Sequence, residues 1–179
     1  FINSTGNIVI LASSDGTSGA SDYIQCTSDA SQVSAGTWTH IAVTFAIATE
    51  TCVQYKNGSS VANTKTGIIG SVLWNSTDPF FIGTDSDVGG SQFYDGLIDE
   101  VRVWSDVRTG TEISNNYQKE LVGNEANLVG YWKLNNDYLD ETANNNDLTA
   151  TNSPIFSTDV PFTGGGTARG FLSTNSKFW

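Results

Sequence analysis

Apolar residues recurring at every second position, broken by short polar turns, set the limits on what this chain can fold into. Across residues 37–45, Ile41, Val43 and Phe45 fall on one face of an extended segment, and Trp38, His40 and Ala42 on the other. That period suits a pleated strand and not a helix. Residues 8–11, 23–26, 52–55, 68–73, 80–82 and 128–134 read as further short strands, with Ser/Asp/Gly clusters such as 13–16 and 84–90 between them. Lys56-Asn57-Gly58-Ser59 predicts a hairpin, because Asn-Gly accepts the positive φ that a two-residue turn demands. Many short strands with regular turn signals predict an all-β sandwich or barrel.

One segment departs from this period. Thr109 and Glu112 form a T-x-x-E capping box, in which hydroxyl and carboxylate satisfy amides at a helix start. Ile113, Tyr117 and Leu121 then recur every fourth residue, which predicts one helix of about three turns packed on the sandwich by that stripe.

Composition narrows the function classes. Nineteen acids against eight bases leave a net charge of −11, a poor electrostatic footprint for nucleic acid. No stretch is long and apolar enough for membrane insertion. The small, polar, Lys-poor surface chemistry points to a secreted, extracellular or cell- or virion-surface protein. The chain opens on Phe1 without a basic-then-apolar leader, which reads as a processed or excised segment. Cys26 and Cys52 both fall on predicted strands, and either one disulfide or two buried thiols fits. Three glycosylation sequons, at Asn3, Asn57 and Asn75, carry little weight in a chain this rich in Asn, Ser and Thr.

Alternation along 97–104 puts Leu97, Asp99, Val101 and Val103 on one face, and Ile98, Glu100, Arg102 and Trp104 on the other. Asp99 among apolar neighbours needs a partner, since an unpaired buried carboxylate is costly. Calcium would meet that need, and so would backbone amides of an adjacent loop. Asp85 and Asp87, in the Asp/Gly-rich segment 84–90, are a second calcium candidate beside a plain solvated turn. Glu100 and Arg102 share a face and are expected to form a weak surface pair. The lone His40, without ligand or triad partners at motif spacing, is expected to share a sheet face with Trp38. Sugars stack on aromatic faces, so Trp74 with Asn75, and Tyr94 with Asp95, are the candidate ligand platforms, with Asp78 and Gln92 as further polar neighbours. Trp38, Trp104 and Trp132 are expected in the core.

Residues 94–104, Tyr-Asp-Gly-Leu-Ile-Asp-Glu-Val-Arg-Val-Trp, resemble the signature strand of laminin-G-like, concanavalin A-like jelly rolls. Residues 36–45 resemble the family's G-T-W-x-H strand, 53–58 its Y-x-N-G hairpin, and 108–120 the helix after the signature strand. Together these cover residues 5–135 in the family's order. The resemblance implies a two-sheet antiparallel jelly roll with a structural calcium near the signature strand, and a second ion at the sandwich rim. It lacks the family's opening strand, which a permuted tail, a tandem neighbour or a partner copy would have to supply; residues 168–172 resemble that strand. Residues 1–162 are thus expected to form the jelly-roll domain, and 163–179 a linker and a tail that completes this or a neighbouring copy. The E-x-D-x-E-like spacing of jelly-roll glucanases is absent, which argues against an enzyme. The expected function is a non-catalytic module gripping a glycan or glycoprotein surface, with a structural subunit joined by strand exchange as the alternative.

Overall fold

The computed structural model describes residues 1–16, 22–70, 72–77, 79–84 and 93–162, together with the backbone of two tail strands. The chain is all-β with antiparallel ladders dominating, as the alternation predicts, and among the described residues there is one short α-helix, as the capping box predicts. Strands β1 (Val9–Ser13), β2 (Tyr23–Ser28), β3 (Trp38–Thr39) and β4 (Ile41–Ala46) precede a 3-10 turn at Ile47–Thr49. Strands β5 (Thr51–Lys56), β6 (Ser59–Val61), β7 (Asn63–Ile68), β8 (Gly96–Ile98) and β9 (Val101–Trp104) follow. Helix α1 (Gly110–Asn116) leads to β10 (Leu128–Trp132), β11 (Ile155–Phe156), β12 (Phe171–Leu172) and β13 (Ser176–Phe178).

Two three-stranded sheets, β1-β2-β7 and β4-β5-β6, face each other across an apolar layer. Ile10, Ala12, Ile24 and Cys26 project from the first sheet, and Phe45 and Cys52 from the second, with Ile47 and Ile69 closing the layer. Gln54 of β5 crosses it: its amide nitrogen donates to the Cys26 carbonyl at 3.0 Å and to the Ile8 carbonyl at 3.2 Å. The β5–β6 hairpin turns where the Asn-Gly pair predicts, with Asn57 at φ 48° and Gly58 at φ 79°. A five-stranded sheet runs in the order β11-β12-β8-β13-β3, and β9 pairs with β10. The tail strand β13 runs parallel to both β8 and β3, while β12 is antiparallel to β8.

Several expectations are corrected. The segment 37–45 is two strands, because His40 leaves the ladder to exchange bonds with Asn57: its N–H donates to Oδ1 at 2.9 Å, and its carbonyl accepts from the Asn57 N–H at 3.0 Å. Its ring then packs against Tyr117, 5.6 Å between centroids, while the Trp38 indole donates to Asp159 at 2.8 Å. Trp38 and His40 therefore do not share a face. Of the three tryptophans expected in the core, Trp132 is buried, whereas Trp38 and Trp104 are half-buried. The strand expected at 68–73 lies earlier, at 63–68, and ends where Ile68 pairs with Tyr23, the first residue of β2. Residues 80–82 form no strand. The helix has two turns; its capping box is present as predicted, and Leu121 reaches the core from beyond the helix end.

Candidate functional site

The signature segment does not run straight. Glu100 adopts φ 56°, which separates β8 from β9 and breaks the alternation, so that Leu97, Ile98, Asp99 and Glu100 are all buried. Asp99 is 2% exposed and Glu100 5%. The expected surface pair is instead a buried network. Arg102 Nη2 donates to Glu100 Oε2 at 2.7 Å, and the Tyr131 hydroxyl donates to the same oxygen at 2.7 Å. Arg102 also donates to the carbonyls of Asn116 (3.0 Å) and Lys119, and the Tyr131 oxygen accepts from the Leu121 N–H at 3.0 Å. One chain of bonds thus ties β9, β10 and the segment after α1. Burial raises the Glu100 pKa, with the bonds from Tyr131 and Arg102 opposing the rise.

Asp99 takes the backbone-amide option: its Oδ1 accepts from the Glu100 N–H at 3.2 Å. Burial, and then the adjacent Glu100, push its carboxyl up to about 8. A calcium ion takes six to eight oxygens. Among the described residues no group of three or more His, Cys, Asp or Glu is placed to hold a metal ion, and the neighbouring carboxylate is already engaged by Arg102. The described donors around Asp99 therefore do not fit the calcium that the resemblance implies. Asp85 and Asp87 lie outside the described residues.

Asp99, Glu100 and Arg102 line a cavity of about 1020 Å³, together with His40, Tyr94 and Asp95. Burial, and then Arg102, hold His40 down at about 4, so its imidazole is neutral at neutral pH. With Asp99 protonated and Glu100 matched by Arg102, this wall is polar but compensated in charge.

A second cleft, about 810 Å³, has a different character. Phe80, 57% exposed, stacks on the buried Trp132 with centroids 5.4 Å apart and planes 23° apart. The Trp132 indole is fixed by donation to the Asn146 carbonyl at 2.9 Å. Gly130 makes room for it, since a Cβ there would fall 2.4 Å from the ring. The Asn/Asp-rich turns that follow form the polar side of the cleft. Asp140 accepts from the N–H groups of Tyr131, Thr142 and Asn146, and donates its own N–H to Asp147 Oδ1. Asn146, Asp147, Thr149 and Thr151 complete the rim.

The four residues expected to hold ligand are not brought to one place. Trp74 is 56% exposed, donates its backbone N–H to the Ser13 carbonyl and lies against Gly16; Asn75 beside it is exposed. Neither lines either cavity. Tyr94 is half-buried against the cluster of Ile98, Trp132 and Leu134, while Asp95 is exposed, and both line the larger cavity. Asp78 and Gln92 lie outside the described residues. The Phe80–Trp132 platform was missed because residues 80–82 look like a strand and Trp132 like simple core; the Pro79-Phe80-Phe81 run was the available signal.

A family model described as the concanavalin A-like lectin/glucanases superfamily matches residues 1–114. No curated protein and no solved structure matches the chain.

Proposed function

The chain belongs to the concanavalin A-like lectin/glucanases superfamily, and from that membership we propose that it is a non-catalytic carbohydrate-binding module of an extracellular or surface protein. Laminin-G-like domains are generally binding modules, although the wider superfamily includes glycosidases. The observation that carries the proposal is Phe80, exposed yet held in a fixed orientation by stacking on buried Trp132. A sugar presents an apolar C–H face and a hydroxyl edge. The first would lie on the Phe80 ring, and the second would meet the Asn146, Asp147, Thr149 and Thr151 rim. Recognition on this platform needs no covalent step. A calcium ion belongs in the proposal only through Asp85 and Asp87.

A glycan array run with calcium and with chelator tests the proposal on the wild type, Phe80→Ala, Trp74→Ala and Asp95→Ala. Retention of a glycan class that Phe80→Ala weakens at least about tenfold supports it. Loss only in Trp74→Ala or Asp95→Ala would move the site, and retention of no glycan would sink the carbohydrate reading. A second reading rests on the tail: β12 and β13 occupy interior places in the five-stranded sheet, and the same pairings made between copies would build a structural array. Concentration-dependent assembly in sedimentation, abolished by removing residues 163–179, would favour it.

A further inference from the structure

Cys26 and Cys52 lie on different sheets, on β2 and β5, yet belong to one apolar cluster with Ile24, Ile69 and Phe45. Within their ladders Cys26 pairs with Ile10 and Lys65, and Cys52 with Phe45, so the two thiols meet across the layers and not along a sheet. The Cys26 thiol is near enough to Cys52 to act, after burial, as a cause that holds the Cys52 proton in place. Cys26 is fully buried and Cys52 half-buried, and both are free thiols in this structure. We propose that Cys26 and Cys52 are a disulfide-forming pair that covalently staples the two three-stranded sheets when the chain folds in an oxidising compartment.

The reaction is thiol–disulfide exchange with a small-molecule disulfide as oxidant. The thiolate of one cysteine, Cys52 being the more accessible, attacks the oxidant, forms a mixed disulfide and releases one small thiol. The Cys26 thiolate then displaces the second small thiol. The protein loses two electrons and two protons, and the oxidant is reduced to two thiols. In the finished fold, burial and the neighbouring thiol push Cys52 up to about 12. Thiolate is therefore scarce, and exchange in the native state is slow. The bridge should close while the sheets are assembling.

The chain is unfolded, refolded in a buffer of reduced and oxidised glutathione, and then blocked with iodoacetamide in denaturant for intact-mass analysis. The expected product is monomeric, lighter by two hydrogens than the reduced chain, and carries no alkyl groups; a peptide joins Cys26 to Cys52. Its Tm should exceed that of the reduced chain by roughly 10 °C, because the unfolded state is constrained. The native reduced chain given the same buffer without unfolding should oxidise many times more slowly. Cys52→Ala, at the half-buried position, should fold with a Tm that no longer responds to reductant. Two alkylated cysteines after oxidative refolding to the native fold, glutathione retained on either cysteine, or a covalent dimer would each overturn the proposal. So would an oxidised monomer no more stable than the reduced one. None of these outcomes bears on glycan binding, so the two proposals stand or fall separately.

Discussion

Arg102 holds Glu100 at 2.7 Å with the two side chains only 10% and 3% exposed, so the pair is almost wholly withdrawn from water. A pair of this kind is dangerous to break, because whichever charge remains is buried without compensation. Arg102→Met should destabilise the fold by about 3–5 kcal/mol in urea unfolding, and Tyr131→Phe by about 1–3 kcal/mol through the lost hydroxyl bonds. The double variant Glu100→Leu with Arg102→Met should recover much of the single loss. A cost below about 1 kcal/mol for Arg102→Met would mean that water reaches the pair.

Asp99 and His40, both on the larger cavity, act in opposite directions with pH. Asp99, raised from 3.8 to about 8, binds its proton more tightly in the folded state. Its contribution to stability is therefore complete below pH 3.8 and lost as pH rises through 8. His40, lowered from 6.5 to about 4, contributes fully above pH 6.5 and loses that contribution as pH falls through 4. Between pH 4 and 6.5 the two slopes cancel, and from pH 6.5 to 8 the Asp99 slope is no longer offset by His40. Stability should fall by about 2 kcal/mol across that upper window, and Asp99→Asn should flatten it. A wild-type profile already flat there would contradict the burial of this carboxyl.

Much of the fold was legible because its signals are local. The Asn57-Gly58 hairpin and the Thr109–Glu112 capping box each depend on residues a few positions apart. What was not legible depends on distant partners. Strand β7 begins Asn63-Thr64-Lys65-Thr66 and carries no apolar alternation; it is an edge strand held by β2, and of the apolar residues Ile68, Ile69, Val72 and Leu73 its ladder takes in only Ile68, opposite Tyr23. Burial of Glu100 requires Tyr131, 31 residues away, and a left-handed turn that alternation cannot foresee. Phe80 becomes a platform only because Trp132, fixed by Asn146, lies beneath it.

The capping box offers a clean measure of how far α1 depends on its own ends. Thr109 Oγ1 accepts from the Glu112 N–H at 3.2 Å, and Glu112 Oε2 accepts from the Thr109 N–H at 2.8 Å. The Thr109 N–H, and then the Thr109 hydroxyl, both donating to the carboxylate, hold the Glu112 carboxyl below its ordinary value. A helix of seven residues is too short to persist without caps and packing. Thr109→Ala should cost about 1 kcal/mol in chemical unfolding, and Thr109→Ser should cost less. Equal losses for both would mean that the methyl group, and not the hydroxyl, matters at this position.

The last prediction separates the cleft from the rest of the fold. Gly130 and Trp132 lie two residues apart on β10, and the Trp132 ring lies over Gly130 so closely that a Cβ there would reach 2.4 Å from Cη2 and 2.9 Å from Cζ3. The ring cannot absorb that contact by a small rotation, because it is packed with Ile98 and Leu134, and its N–H is committed to the Asn146 carbonyl. Gly130→Ala should therefore tilt Trp132, disturb the surface on which Phe80 stacks and shift tryptophan fluorescence and near-ultraviolet dichroism. The far-ultraviolet spectrum should keep its β character, at a stability cost of about 1–3 kcal/mol. If glycan retention belongs to this cleft, the variant should lose it together with Phe80→Ala while Trp74→Ala retains it. A Gly130→Ala protein that binds as tightly as wild type, despite a changed tryptophan signal, would remove the Phe80–Trp132 stack from the binding surface.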